Sequence, residues 1–290
     1  MKKASSLVSE ERITERNGVE LYLDCLRAED GGKEKHILLI HGVTYSSHVF
    51  DIPRRDYSLA RRLTKAGYTV WLLDIAGYGR SGEVADGFLP DSDYAAEDIR
   101  CALEKIASET GCGKIDLLGW SWGTVTAGRC AGAHPEHIRK LVLYAPILCG
   151  VGAAEIRDAF HHNTREHTLE DFQLDAEGRI DLSLAEPDLT EAWCSGCLRY
   201  DGDRSPNAGR RDICVDETET LIDLRAIRVP TLVICGDRDP YLNYELIHRA
   251  PELLPDGSAL EIIQGGAHAV MLERPYYHEF WDRLLRFLDE

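Results

Sequence analysis

The sequence predicts an α/β fold built on a mostly parallel, doubly wound sheet. Three observations lead there. Short apolar runs of strand length alternate with longer helix-like stretches through the first half of the chain, the rhythm of strands covered by helices on both faces. That rhythm stops after Tyr144 and resumes at Pro230. The apolar runs are followed by glycine-rich or polar turns, which is where open α/β sheets bind ligands.

The elements follow in order. Residues 19–26 alternate as an edge strand does, and residues 36–40, His36-Ile37-Leu38-Leu39-Ile40, form a buried strand. Residues 57–66 read as a helix ended by Gly67, and residues 68–73 as the next strand. A helix over 93–110 precedes a strand at 115–118, a helix-like stretch at 124–133 and a strand at 139–144. Residues 230–235 restore the sheet pattern, 260–263 give a last strand and 276–288 a last helix. Between them, residues 147–229 hold two helix-like pieces, 153–163 and 189–200, and much polar loop. This stretch contains 18 acidic residues, nine arginines and no lysine. It reads as an insertion between two sheet strands, a lid, so that residues 1–146 and 230–290 make the core and 147–229 the cap.

Composition narrows the function. Hydrophobic residues make up 44% of the 290, enough for a substantial core. No run approaches the ~18 apolar residues of a membrane span, and the start, Met1 to Glu10, lacks the apolar centre of a signal peptide. A formal charge of −17 argues against nucleic acid or anionic membranes as partners. Nine cysteines, an odd number scattered through the elements, suit free thiols in a reducing cytoplasm.

The chemistry lies at the strand ends. Gly119-Trp120-Ser121-Trp122-Gly123 joins a strand to a helix. A serine on so tight a turn is strained, its hydroxyl is lifted off the sheet edge, and the amide of Trp122 faces the same space. His41-Gly42-Val43-Thr44 follows one strand, Gly236-Asp237-Arg238-Asp239 another and Gln264-Gly265-Gly266-Ala267-His268 the last. A serine hydroxyl needs a base, which His268 supplies, and the imidazole needs a carboxylate, either Asp237 or Asp239. The amides of Val43 and Trp122 are placed to receive an oxyanion.

These motifs, with the Asp74-to-Ser81 glycine-rich loop and Glu273-Arg274-Pro275 after the histidine, resemble the α/β-hydrolase superfamily from about Val19 to the C-terminus, the insertion apart. The resemblance implies an α/β-hydrolase fold with Ser121 as nucleophile, His268 as base and, by family spacing, Asp239 as acid. It also implies a cofactor-independent serine hydrolase for a carboxylic ester, lactone or thioester of a small or medium-sized substrate. Acyl transfer or carbon–carbon bond hydrolysis by the same triad, and ligand binding without turnover, are the alternatives. Ser121 stands where the dehalogenases and epoxide hydrolases of the superfamily have aspartate, and no lipase-type His-Gly-Gly-Gly is present.

Other residues carry two readings each. Trp120, Phe160, Phe172 and Trp193 either line a substrate pocket or pack the lid onto the sheet. Trp122 walls the pocket or belongs to the core, and His41 is expected to be structural. Cys194 and Cys197, with Cys214, His161, His162 and His167, have the composition of a zinc site, but an unpaired CxxC on a helix is usually inert, and no metal is expected. Arg199, Arg204, Arg210 and Arg211 either neutralise their acidic surroundings, the favoured reading, or grip a substrate carboxylate. Nothing in the sequence speaks to oligomeric state.

Overall fold

The computed structural model describes residues 7–29 and 35–290, so the basic stretch at the start of the chain, through Ser6, lies outside it. The strands are β1 (Leu7–Arg16), β2 (Val19–Ala28) and β3 (His36–Ile40); helix α1 (Leu59–Lys65) leads to β4 (Thr69–Leu73). Helix α2 (Ser92–Thr110), β5 (Ile115–Trp120), α3 (Trp122–Ala133) and β6 (Ile138–Tyr144) follow. The segment after β6 holds β7 (Phe160–His162), α4 (Pro187–Asp201), β8 (Arg204–Pro206) and α5 (Ala208–Ile213). The chain closes with β9 (Thr231–Gly236), α6 (Tyr244–Leu253), β10 (Ala259–Ile263) and α7 (Tyr277–Asp289).

Eight strands form one sheet in the order β1-β2-β4-β3-β5-β6-β9-β10. The β1–β2 and β2–β4 pairs are antiparallel and the rest parallel. Both faces are covered, and β3 shows how: Leu38 and Ile40 enter one buried cluster, Ile37 and Leu39 the other, as period-two alternation in a doubly covered sheet requires. The chain runs from β3 outward to β4, then returns across β3 to β5. The order reverses between β3 and β5, and a crevice opens at their carboxyl ends.

Local signals set the helix boundaries. Ser58, Asp91 and Asn243 each accept the amide three residues on, at the starts of α1, α2 and α6. Gly111, at φ +73°, ends α2 in the left-handed region.

Several expectations change. Residues 19–26 are not an edge strand, because β1 pairs along the whole of β2 and takes the edge. Residues 153–163 form no helix; they run as loop into β7, which pairs with β8. Helix α4 extends the expected 189–200 piece to Pro187–Asp201, with its proline in the first turn. Helices α5 and α6 add two elements the periodicity does not announce. Strands β6 and β9 are parallel neighbours in the sheet, and residues 145–230 connect them.

Candidate active site

The turn after β5 is built by steric exclusion. Ser121 has φ +58° and ψ −125°, a strained conformation for a residue with a side chain. A Cβ on Gly119 would lie 2.1 Å from the Gly123 carbonyl oxygen, and one on Gly123 would lie 2.5 Å from the carbonyl oxygens of Ile40 and His41. The two glycines let β5, α3 and the end of β3 touch through their backbones. Gly42 adds a third close approach, since a Cβ there would sit 3.1 Å from Ser121 Cβ. The small residues thus press the Gly42–Thr44 loop against the serine.

That loop is strained as well. Thr44 has φ +83°, a genuine outlier for a β-branched residue. His41, fully buried, ties the loop down: its Nδ1 donates to the Gly42 carbonyl (2.8 Å) and its Nε2 accepts the Ile75 amide (3.2 Å). Burial pushes the His41 pKa down, which suits the neutral ring that these two bonds require. Among the described residues, the amides of Val43 and Trp122 donate to no acceptor. Trp122 begins α3, so its N–H is one of the helix's orphan donors, and the helix dipole adds to its field.

His268 follows β10 on a loop held by Glu273, a buried carboxylate that accepts the Ala267 amide at 3.0 Å. The ring's Nδ1 lies 2.7 Å from Asp239 Oδ2, and both residues are buried. Asp239 is therefore the carboxylate against the histidine. Asp237 turns the other way and accepts the Gly265 amide at 2.6 Å. Burial pushes the His268 pKa down, but the Asp239 carboxylate, by its charge and its hydrogen bond, and the charge of Asp171 outweigh it, and the net direction is up. With Nδ1 engaged, Nε2 is the nitrogen left for a proton from outside. Ser121 and His268 line the same cavity, of about 210 Å³. No hydrogen bond joins their side chains among the described residues; such bonds are often long without substrate and tighten when it binds.

The cavity's walls differ from those the sequence suggested. Of the four aromatic candidates, Trp120 lines it. Its Nε1 donates to the His268 carbonyl at 3.1 Å and its ring lies 5.5 Å from the imidazole. Trp193 is fully buried and packs edge-on to Trp120 and Phe172; its Nε1 donates to the Thr168 carbonyl. Phe172 is buried in the same cluster, and Phe160 lies under the Arg204 guanidinium at 4.6 Å. None of the three lines the serine cavity itself: Trp193 is core, Phe160 is half-buried beside a separate cavity, and Phe172 lines an adjoining cavity that His268, Asp171 and Tyr241 share. Trp122 is also core: its Nε1 donates to Ser92 Oγ, and α5 packs on its ring through Gly209.

The remaining walls are Tyr45, Ile147, Tyr241 and residues of the segment after β6, among them His167, Glu170, Asp171, Arg210, Ile213 and Cys214. Periodicity could not single these out, because they come from loops, a three-residue 3-10 turn at His167 and one six-residue helix. Cys194 and Cys197 are buried, with Cys194 Sγ 2.8 Å from Thr168 Oγ1, whereas Cys214 faces the serine cavity. Among the described residues no three His, Cys, Asp or Glu side chains are grouped to hold a metal ion. No helix among them is long and apolar enough to cross a membrane.

Comparison with known proteins gives the family and the fold. A family model described as serine aminopeptidase, S33 matches residues 31–275. The chain is 28% identical over 260 residues to a pimeloyl-(acyl-carrier protein) methyl ester esterase of Neisseria meningitidis serogroup A, covering 82% of this chain and 72% of that protein. An esterase from Exiguobacterium antarcticum superposes with a TM-score of 0.69 at 20% identity, covering 96% of this chain and 98% of that one. A thioesterase domain from the curacin biosynthetic pathway superposes with a TM-score of 0.67 at 17% identity, over 96% and 99% of the two chains. At such identities the two structures establish the fold alone.

Proposed function

The chain belongs to the serine aminopeptidase S33 family of α/β-hydrolases, and we propose that it is an esterase-type hydrolase that cleaves a small carboxylic ester, lactone or thioester through an acyl-enzyme on Ser121. One observation carries this reading: a serine on a strained turn and a histidine 2.7 Å from a buried carboxylate line one cavity, beside two amides that donate to no acceptor among the described residues.

The steps follow from the atoms. Ser121 Oγ bonds to the carbonyl carbon as its proton passes to His268 Nε2. The carbonyl oxygen gains the charge, and the amides of Val43 and Trp122 stabilise it. Asp239 holds the ring by Nδ1 and stabilises the imidazolium. The bond from carbon to the leaving oxygen or sulfur then breaks, and His268 returns the proton to the leaving group. Water repeats the sequence, giving its proton to His268 and releasing the acid and Ser121. A cavity of about 210 Å³ suits a modest acyl group, below the ~300–1,000 Å³ of typical drug-sized sites. Residues 147–229 act in this reading as a lid that supplies half of the walls and excludes water.

A fluorophosphonate probe tests the nucleophile, and a panel of 4-nitrophenyl esters, lactones and thioesters tests the reaction. The expected result is one label per chain at Ser121 and turnover of short acyl substrates. A folded protein labelled equally well after Ser121→Ala would remove the serine from the reaction.

A further inference from the structure

Among the described residues, Arg210 is the one arginine or lysine that lines the serine cavity, where its charge acts on Asp171 without forming an ion pair with it. Of the four arginines that the sequence singles out after β6, the other three are placed elsewhere. Arg199 lies over Tyr200, Arg204 over Phe160 with Glu83 at 3.9 Å, and Arg211 over Phe88. Arg210 lines the cavity with Ser121 and His268. It donates to Asn207 Oδ1 at 3.3 Å and to Thr44 Oγ1, both uncharged acceptors. In a segment holding twice as many acids as arginines, this guanidinium forms no ion pair with any described carboxylate. A half-buried charge whose acceptors are all neutral leaves donors to spare for an anion.

Two neighbours support the same reading. Thr44, the strained residue directly after Val43, is the one that Arg210 grips, so the cation sits beside the loop that carries one of the two free amides. Tyr45, 4% exposed and also lining the cavity, has a buried hydroxyl with no hydrogen-bond partner among the described residues. A buried hydroxyl without a partner is costly unless a ligand supplies one. Glu170 and Asp171 line the cavity too. Their negative field disfavours an anion everywhere in it except beside a fixed cation, which narrows the seat to the guanidinium.

We propose that the substrate carries a carboxylate and that Arg210, assisted by the Tyr45 hydroxyl, binds it while Ser121 attacks the ester. The inference rests on the Ser121 reading and adds the substrate class to it. Arg210 is then a specificity residue that contacts a part of the substrate distant from the bond being cleaved.

The test compares 4-nitrophenyl hydrogen glutarate with 4-nitrophenyl pentanoate, esters of equal chain length that differ by a terminal carboxylate. The native enzyme should prefer the glutarate ester in kcat/KM. Arg210→Met should reduce kcat/KM for the glutarate ester about 10- to 100-fold more than for the pentanoate ester, mainly through KM, as loss of a charged hydrogen bond implies. Arg210→Lys should recover part of the difference, and Tyr45→Phe should show a smaller loss of the same kind. Fluorophosphonate labelling of each variant reports that the site is still assembled. Equal losses on both esters, or no native preference for the anion, would overturn the inference while the Ser121 reading stands; in that case Arg210 serves the oxyanion or merely balances Asp171. If neither ester is cleaved and the probe does not label, the Ser121 reading has failed instead. Calorimetric titration of glutarate into the native protein and into Arg210→Met then decides the anion site on its own: binding lost in the variant supports it, and no binding to the native protein overturns it.

Discussion

At the scale of single residues, the His268 environment sets the pH dependence. Catalysis needs the neutral ring, and the net direction of its pKa is upward from 6.5. The rate should therefore rise with pH, through a midpoint above that value, and level off beyond it. Asp171 is one of the groups that raise it, so Asp171→Asn should move the acid limb to lower pH, and Asp237→Asn should leave the limb in place. A pH–rate profile of kcat/KM for the three proteins checks this, and an Asp171→Asn limb moving to higher pH would contradict the placement of that carboxylate. Asp239→Asn should cost far more than Asp237→Asn, about 10⁴-fold if the comparison with serine proteases holds. Ser121→Ala should leave only binding and oxyanion contacts, a loss of roughly 10³-fold or more.

At the scale of elements, the turn between β5 and α3 depends on backbone contact. Gly123→Ala would put a methyl group 2.5 Å from two carbonyl oxygens of β3 and its following loop. Those atoms are backbone and must move, so a destabilisation of about 1–3 kcal/mol is expected. The same movement displaces Gly42 and Val43, and kcat should fall with the melting temperature. Gly111→Ala is the control. A Cβ there meets nothing within 4 Å, but φ is +73°, so the left-handed conformation costs about 1–2 kcal/mol without touching the site. Thermal melts and kcat for both variants separate the two mechanisms: stability should fall in each, and activity only in Gly123→Ala.

At the scale of the whole molecule, the segment between β6 and β9 serves two purposes that can be divided. Its ends belong to the core. Leu148 and Ile222 are buried in the cluster beneath α3, the Leu221 amide donates to the Leu148 carbonyl, and Ile222 fills the notch at Gly128. Its middle supplies Asp171, Arg210, Ile213 and Cys214 to the cavity. Replacing residues 151–219 by a short linker should leave a folded chain that still reacts with a fluorophosphonate but discriminates poorly among esters. It should also be less soluble, because Trp120 loses the cover of Trp193 and an apolar patch opens. A soluble replacement with the parent's ester preferences would place specificity in the core loops alone.

What could be read without the structure is what short-range patterning encodes. Runs such as Ile37 to Ile40 are apolar because both faces of the strand are covered, and the serine turn announces itself by glycines whose absent Cβ atoms let backbones touch. The order of serine, aspartate and histidine at strand ends followed from those same patterns. Strand β1 escaped because its pattern is half polar: it lies at the sheet's edge, and its identity comes from backbone pairing with β2. The loop at 153–163 has a helix-like composition, but pairing of β7 with β8 overrides it. The residue pattern alone leaves Asp237 and Asp239 open and family spacing favours Asp239; the tertiary structure turns the two, two residues apart, to different partners, Asp237 to the Gly265 amide and Asp239 to His268. Packing also decided which rings fill the core and which of four similar arginines enters the cavity. Periodicity records which side of an element is buried. Which buried groups meet is settled by how elements distant in sequence close on one another.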